Sequence, residues 1–136
     1  IQHYLAGFGE RTGIATSVDL PVNLERLGEL VEMVLFRVVQ ECLGNIHRHA
    51  HSKTAFVRLK LDAPGIVLEV RDEGGGIPPQ ILGTATGQFM GLGVGIPAMR
   101  ERLRYIGGNL EIDSNPRGTT VRAVLPGPRK SVGWNR

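Results

Sequence analysis

The chain has one cysteine, Cys42, among its 136 residues, so no disulfide can form within it. That excludes a disulfide-stapled secreted scaffold and fits a reducing compartment, so a cytoplasmic location is expected. Cys42 falls in an apolar helical sector and reads as a small buried hydrophobe rather than a nucleophile. Aromatic residues make up only 5%, too few for a surface that binds single strands by base stacking. The formal charge of +3 is small, and Arg129, Lys130 and Arg136 in the acid-free last ten residues carry much of it. A nucleic-acid face more often shows a basic stripe along one helix, so no nucleic-acid partner is expected. No apolar run approaches the length of a membrane helix and no signal peptide is visible, so no membrane contact is expected of this domain. The start at Ile1 rather than a methionine suggests a piece of a longer protein, with any membrane anchor upstream. Also missing are the G-x-S-x-G elbow, the P-loop lysine motif and H-E-x-x-H, which removes the common hydrolase, P-loop and metalloprotease chemistries.

What remains is ordinary in bulk and unusual in arrangement. Hydrophobic content of 41% and charged content of 21% suit one globular domain large enough to bury a core. Ile1, Tyr4, Leu5 and Phe8 recur at helical spacing and end at Gly9, like the tail of a helix from a preceding segment. Gly13 to Leu20 reads as a strand. Leu27 to Ala50 reads as a long amphipathic helix, with Leu27, Val31, Leu35, Val38, Cys42 and Ile46 on one side. Two alternating runs around Ala63-Pro64-Gly65 make an antiparallel hairpin, and Asp72 to Leu92 is loop. Ile96, Met99, Leu103 and Ile106 mark a further helix stopped by Gly107-Gly108, and Leu110 to Leu125 forms a second hairpin about Asn115-Pro116-Arg117-Gly118. All four hairpin strands alternate apolar with polar, so the sheet has one dry and one wet face with helices on the dry side only. The expected class is α+β, a two-layer sandwich on a mixed sheet. Residues 1–10 would be the end of a preceding helix, 11–126 the domain, and 127–136 a mobile tail.

The chemistry-bearing residues fall into a helix stripe and three glycine-bearing segments. Glu41, Asn45, Arg48 and His49 fall within about 100° of one another on a helical wheel, beside the apolar sector. A floor of this kind suits Mg²⁺ with a triphosphate, because magnesium takes oxygen ligands and often needs one protein group beside the phosphates. Asn45 can be that ligand, Glu41 can order a metal-bound or attacking water, and Arg48 can meet a phosphate. By itself the stripe reads equally well as a solvated helix face with i, i+4 pairs. Asp72-Glu73-Gly74-Gly75-Gly76 ends a strand and lets backbone fold over a flat ligand. There a carboxylate can accept a hydrogen bond from the amino group of adenine and repel guanine. Asp-Glu-Gly-Gly is also good turn chemistry. Gly91-Leu92-Gly93-Val94-Gly95 leads into a helix whose first amides favour phosphate, and the loop before it suggests a lid closing over nucleotide.

Two rivals fall on spacing. Gly93-Val94-Gly95-Ile96-Pro97-Ala98 fits the dinucleotide pattern G-x-G-x-x-A, with Asp113 about twenty residues on. No good buried strand precedes Gly93, however, and only one strand follows Asp113, so a parallel sheet cannot be completed. His47 and His51 share a helical face, but zinc wants three or four protein ligands and no third is evident, so they read as surface histidines.

Phe36 to Ala50, with Glu41, Asn45, Arg48 and His49, resembles the N box of sensor histidine kinases. Asp72 to Gly76 resembles their G1 box, Gly93 to Arg102 their G2 segment, and Gly118-Thr119-Thr120 the closing G-T-T. Order and spacing agree from about residue 13 to residue 126. The Met99-Arg100-Glu101-Arg102 run resembles the subgroup that partners LuxR-type response regulators. The resemblance implies a Bergerat-type (GHKL) ATP-binding fold, with ATP and Mg²⁺ as cofactors and Asn45 as the magnesium ligand. It implies Asp72 as adenine reader, Gly74 and Gly76 as the turn beneath the base, and Thr119 at the adenine through water. Arg48 and His49 would approach phosphate or ribose and Gly93 and Gly95 the phosphates, with Ile77 and Val94 completing the nucleotide-binding set. Glu41 is the candidate catalytic carboxylate, as general base or as organiser of water, with an acidic neighbour of the absent phosphoacceptor histidine as the alternative base. The family transfers the γ-phosphate of ATP to a histidine on a separate dimeric helical domain, so the implied partners are that domain, a second copy of the kinase and a response regulator. Glu73 stands where the family has Asn or Asp, no separate F box is apparent in the short lid, and Pro97 and Ala98 vary the G2 pattern. An anti-sigma-factor serine kinase, an ATP-gated clamp and a non-enzymatic adenine-nucleotide sensor share this pocket and are the alternatives.

Overall fold

Strands β1 (Ala15–Asp19), β2 (Thr54–Asp62), β3 (Gly65–Asp72), β4 (Asn109–Asn115) and β5 (Gly118–Pro126) form one sheet in the order β1-β2-β3-β5-β4. This is a computed structural model, and it describes residues 2–21, 28–50, 52–62, 65–74 and 95–126. β1 pairs in parallel with β2 and every other neighbour is antiparallel, giving the expected mixed sheet. Helices α1 (Gln2–Thr12), α2 (Glu29–Asn45) and α3 (Gly95–Tyr105) share one core with one face of it. No described helix is long and apolar enough to cross a membrane.

Alternation decides the layers. Val57, Val70, Val121 and Ile112 stand in register across four strands, as do Leu59, Leu68, Ala123 and Leu110. They meet Leu5 and Phe8 of α1, Leu35, Val38 and Leu43 of α2, and Met99 and Leu103 of α3. The opposite face carries a charge ladder: Asp19, Arg58, Glu69, Arg122 and Glu111 lie in one register row, one from each strand, with signs alternating. Arg58 pairs with Asp19 at 3.3 Å, and Arg122 with Glu69 at 3.0 Å and Glu111 at 3.4 Å. Each exposed pair adds little stability, but a one-residue slip would turn the whole row into the core, so the ladder favours one register.

Helix ends follow their local chemistry. α1 runs past Gly9 to Thr12, whose hydroxyl donates to the Phe8 carbonyl at 2.7 Å. Gly13 then takes φ 77, a left-handed value that suits glycine and ends the helix. α3 stops as expected: Gly107 has φ 83, and the Gly108 N–H returns to the Leu103 carbonyl at 2.6 Å. α2 begins after Gly28 with Glu29 and Glu32 in its first turn, where acids meet the positive end of the helix dipole. The expected start at Leu27 lies outside the described residues, as does the tail 127–136.

The α-helical hydrogen bonding also gives way earlier than periodicity suggests. Ile46–Ala50 is a π-helical segment. Its entry is marked by the Ile46 N–H, which is shared between the Cys42 and Leu43 carbonyls. The wider turn changes which side chains after Asn45 share a face, and such segments recur at functional sites.

Candidate functional site

Asp72 is the last residue of β3, on the dry face, opposite Ala55 of β2. The apolar rows of the core thus end in a carboxylate at one edge, and Asp72 is only 6% exposed. Its Oδ1 accepts the backbone N–H of Gly74 at 2.8 Å and of Thr119 at 3.3 Å. Its Oδ2 accepts no hydrogen bond among the described residues. Burial raises the Asp72 pKa above the usual carboxylate range, and the two N–H donors partly oppose the shift.

Thr119 reaches Asp72 because β5 starts hard against the end of β3. A Cβ on Gly118 would overlap the Asp72 carbonyl oxygen, and Gly118 sits at φ 153. Only glycine lets the two backbones approach that closely. The Thr119 hydroxyl shares a 2.8 Å hydrogen bond with Ser114, its register partner on β4.

On the helix, Arg48 gathers the polar stripe. Its guanidinium donates to Asn45 Oδ1 at 3.2 Å and lies 3.7 Å from a Glu41 carboxylate oxygen. Gly44 makes room: a Cβ there would come within 2.9 Å of the guanidinium. His49 lies on the π-helical segment, and its side chain is outside the described residues.

Cys42 links the two groups. The buried thiol is pushed far up, first by burial and then by the Glu41 and Asp72 carboxylates, and it packs 3.9 Å from the sulfur of Met99 on α3. α2 thus packs against α3, through this sulfur contact, and against β3. Gly95 opens α3, whose first-turn amides lack helical partners. Gly76, Ile77, Gly93 and Val94 lie outside the described residues, as does His51.

The structure thus brings together Glu41, Asn45 and Arg48 as one group, and Asp72, Gly74 and Thr119 as another. It also shows contributors that sequence reasoning missed. Ser52 is buried and accepts the Glu73 N–H at 2.9 Å, while Thr54 donates its hydroxyl to Glu73 Oε1 at 2.9 Å. Ser114 is the third. Ser52 and Ser114 act across strand pairings, so no local spacing marks them; the short Ser52-Lys53-Thr54 turn is the one visible trace.

A sequence profile of histidine kinase-, DNA gyrase B- and HSP90-like ATPases matches residues 31–129. The chain is 34% identical over 119 residues to the sensor histidine kinase MctS of Rhizobium johnstonii, covering 88% of this chain and 25% of that protein. It is 34% identical over 126 residues to the sensor histidine kinase NarS of Mycobacterium tuberculosis, covering 93% of this chain and 28% of that one. The chain therefore spans about a quarter of the length of these curated relatives. In fold it resembles the histidine kinase domain of a blue-light activated histidine kinase from Erythrobacter litoralis. That match has a TM-score of 0.71 at 21% identity and covers 92% of this chain and 58% of the other.

Proposed function

The chain belongs to the histidine kinase-, DNA gyrase B- and HSP90-like ATPases, and we propose that residues 11–126 are the catalytic domain of a sensor histidine kinase. In this reading it binds Mg-ATP for phosphoryl transfer to a histidine on a separate dimerisation domain. Residues 1–10 are the end of that domain's helix and 127–136 a tail. The whole kinase is a homodimer that passes phosphate to a LuxR-type response regulator, and this domain works in the cytoplasm.

One observation carries the reading. The buried Asp72 has one oxygen fixed by two backbone donors, and among the described residues the other meets no donor. A buried acceptor left open is costly, and the amino group of adenine supplies what it lacks. Guanine would bring an oxygen there and be rejected. Thr119, held by Ser114, would meet the base through water; the resemblance assigns Gly74 and Gly76 to the turn beneath it and Ile77 to the nucleotide-binding set.

Asn45 and Glu41 offer oxygen atoms, the donor type magnesium takes, so the residues present fit the metal. Asn45 would hold it, and the bound ion would neutralise phosphate charge. The resemblance assigns Arg48 and His49 to phosphate or ribose, and Arg48 is held near the stripe by Glu41. The resemblance assigns Gly93 and Gly95 to the phosphates and Val94 to the nucleotide-binding set, and the N-terminus of α3, which Gly95 opens, suits an anion. Glu41 is the catalytic carboxylate, ordering water beside the reacting phosphate. The remaining work is positioning, which dominates phosphoryl transfer; alone, the chain should bind nucleotide and transfer little.

The test combines this chain, labelled ATP and a purified dimeric helical domain. Acid-labile, alkali-stable phosphohistidine is the expected product. Phosphoserine instead would point to a serine kinase of the same fold, and nucleotide binding with no transfer to a sensor or clamp.

A further inference from the structure

We propose that Ser52 is a positioning residue for recognition of the base, locking the turn that aims Asp72. The inference rests on the ATP-site reading and adds a residue to it. Three polar side chains are buried among the described residues: Ser52, Asp72 and Thr119. Asp72 and Thr119 touch one another, and Ser52 touches the residue after Asp72.

A serine hydroxyl has one donor and two acceptor positions, and Ser52 uses all three. It donates to the Thr54 carbonyl at 2.7 Å and accepts the N–H of Thr54 at 3.2 Å and of Glu73 at 2.9 Å. No capacity remains for a ligand, so its action on the nucleotide runs through Glu73. β2–β3 pairing ends with Ala55 opposite Asp72, and the hydroxyl carries the connection one residue further by holding the Glu73 N–H. The next amide, Gly74, is held by Asp72 itself. Two consecutive amides of the turn are thus tied down by side chains. Thr54 adds a second tie through the Glu73 carboxylate, which explains how glutamate serves at this position.

Without the Ser52 hydroxyl, the Glu73 N–H loses its acceptor and the turn relaxes to find another. That relaxation breaks the Gly74 bond to Asp72 and lets the carboxylate swing away from the direction that reads the amino group. Ser52 also stands two residues after Ala50, the end of the π-helical segment, so the clamp lies close in sequence to the helix stripe.

The experiment is calorimetric titration of the wild-type chain, Ser52→Ala and Asp72→Asn with Mg-ATP, Mg-GTP and Mg-tripolyphosphate. Ser52→Ala should weaken ATP about five- to tenfold, the scale of one lost hydrogen bond. Tripolyphosphate binding should stay unchanged and the ATP-over-GTP preference should fall. A Ser52→Ala protein that melts earlier but keeps the wild-type ATP-over-GTP ratio overturns the proposal, because a merely structural serine behaves that way. If Asp72→Asn also keeps that ratio, the base-reading assignment fails; if only Ser52→Ala keeps it, the assignment stands and Ser52 alone is wrong. Amide hydrogen exchange on the wild type gives a check independent of how the variants fold. A slowly exchanging Glu73 amide is expected, and a fast one contradicts the clamp.

Discussion

Thr119 donates its backbone N–H to Asp72 Oδ1 at 3.3 Å across 47 residues of chain, and the contact depends on Gly118 having no side chain. Gly118→Ala places a methyl on the Asp72 carbonyl oxygen, so β5 must move from β3. The expected loss is about 2 kcal/mol of stability, with nucleotide binding lost alongside it. Urea unfolding and calorimetry check both; wild-type stability in this variant would contradict the close approach.

Asp72 makes the apo protein sensitive to pH in a stated direction. Its folded pKa lies above the unfolded value because of burial. Its contribution to stability is therefore fully present below the unfolded pKa and is lost as pH rises through the folded one. Asp72→Asn should remove that part of the pH dependence and leave the apo protein at least as stable as wild type at pH 7. Melting temperatures of both proteins across the acidic range test it. Adenine donating to the ionised carboxylate reverses the preference, so the ATP-to-tripolyphosphate affinity ratio of the wild type should fall on acidification.

Asn45→Ala should act on the metal rather than the base. Magnesium then ceases to strengthen ATP binding, while stability stays within about 0.5 kcal/mol because alanine suits a helix at least as well. Titrations with ATP in magnesium and in chelator read this directly; an unchanged magnesium dependence removes Asn45 as ligand.

The charge ladder gives a test on the opposite face. Arg122→Glu sets three carboxylates side by side with Glu69 and Glu111, its two register partners. A loss of about 1 kcal/mol is expected, diminished by salt, with ATP affinity unchanged. Unfolding at low and high ionic strength checks the sign.

The sequence discloses what depends on local pattern. Alternation marks the dry and wet faces and Gly107-Gly108 the end of α3; in the structure Asp72 accepts from Thr119 and Asn45 from Arg48. What depends on pairing is silent in the sequence. Ile46 to Ala50 continues the helical pattern by composition, and only the three-dimensional setting turns it into a π-helical segment. Ser52 and Ser114 gain their roles from the β2–β3 and β4–β5 registers, which bring residues far apart in the chain to one edge of the sheet. Thr12 extended α1 beyond Gly9 through a single side-chain bond to the Phe8 carbonyl.

The most direct test of the base-reading site is the difference in affinity between Mg-ATP and Mg-GTP for the wild-type chain and for Asp72→Asn, measured by calorimetry. The wild type should prefer ATP strongly, and the variant should bind ATP about tenfold or more weaker, the scale of a buried donor facing a donor. Equal ATP affinity in the two proteins, or no preference for ATP over GTP in the wild type, would contradict the account.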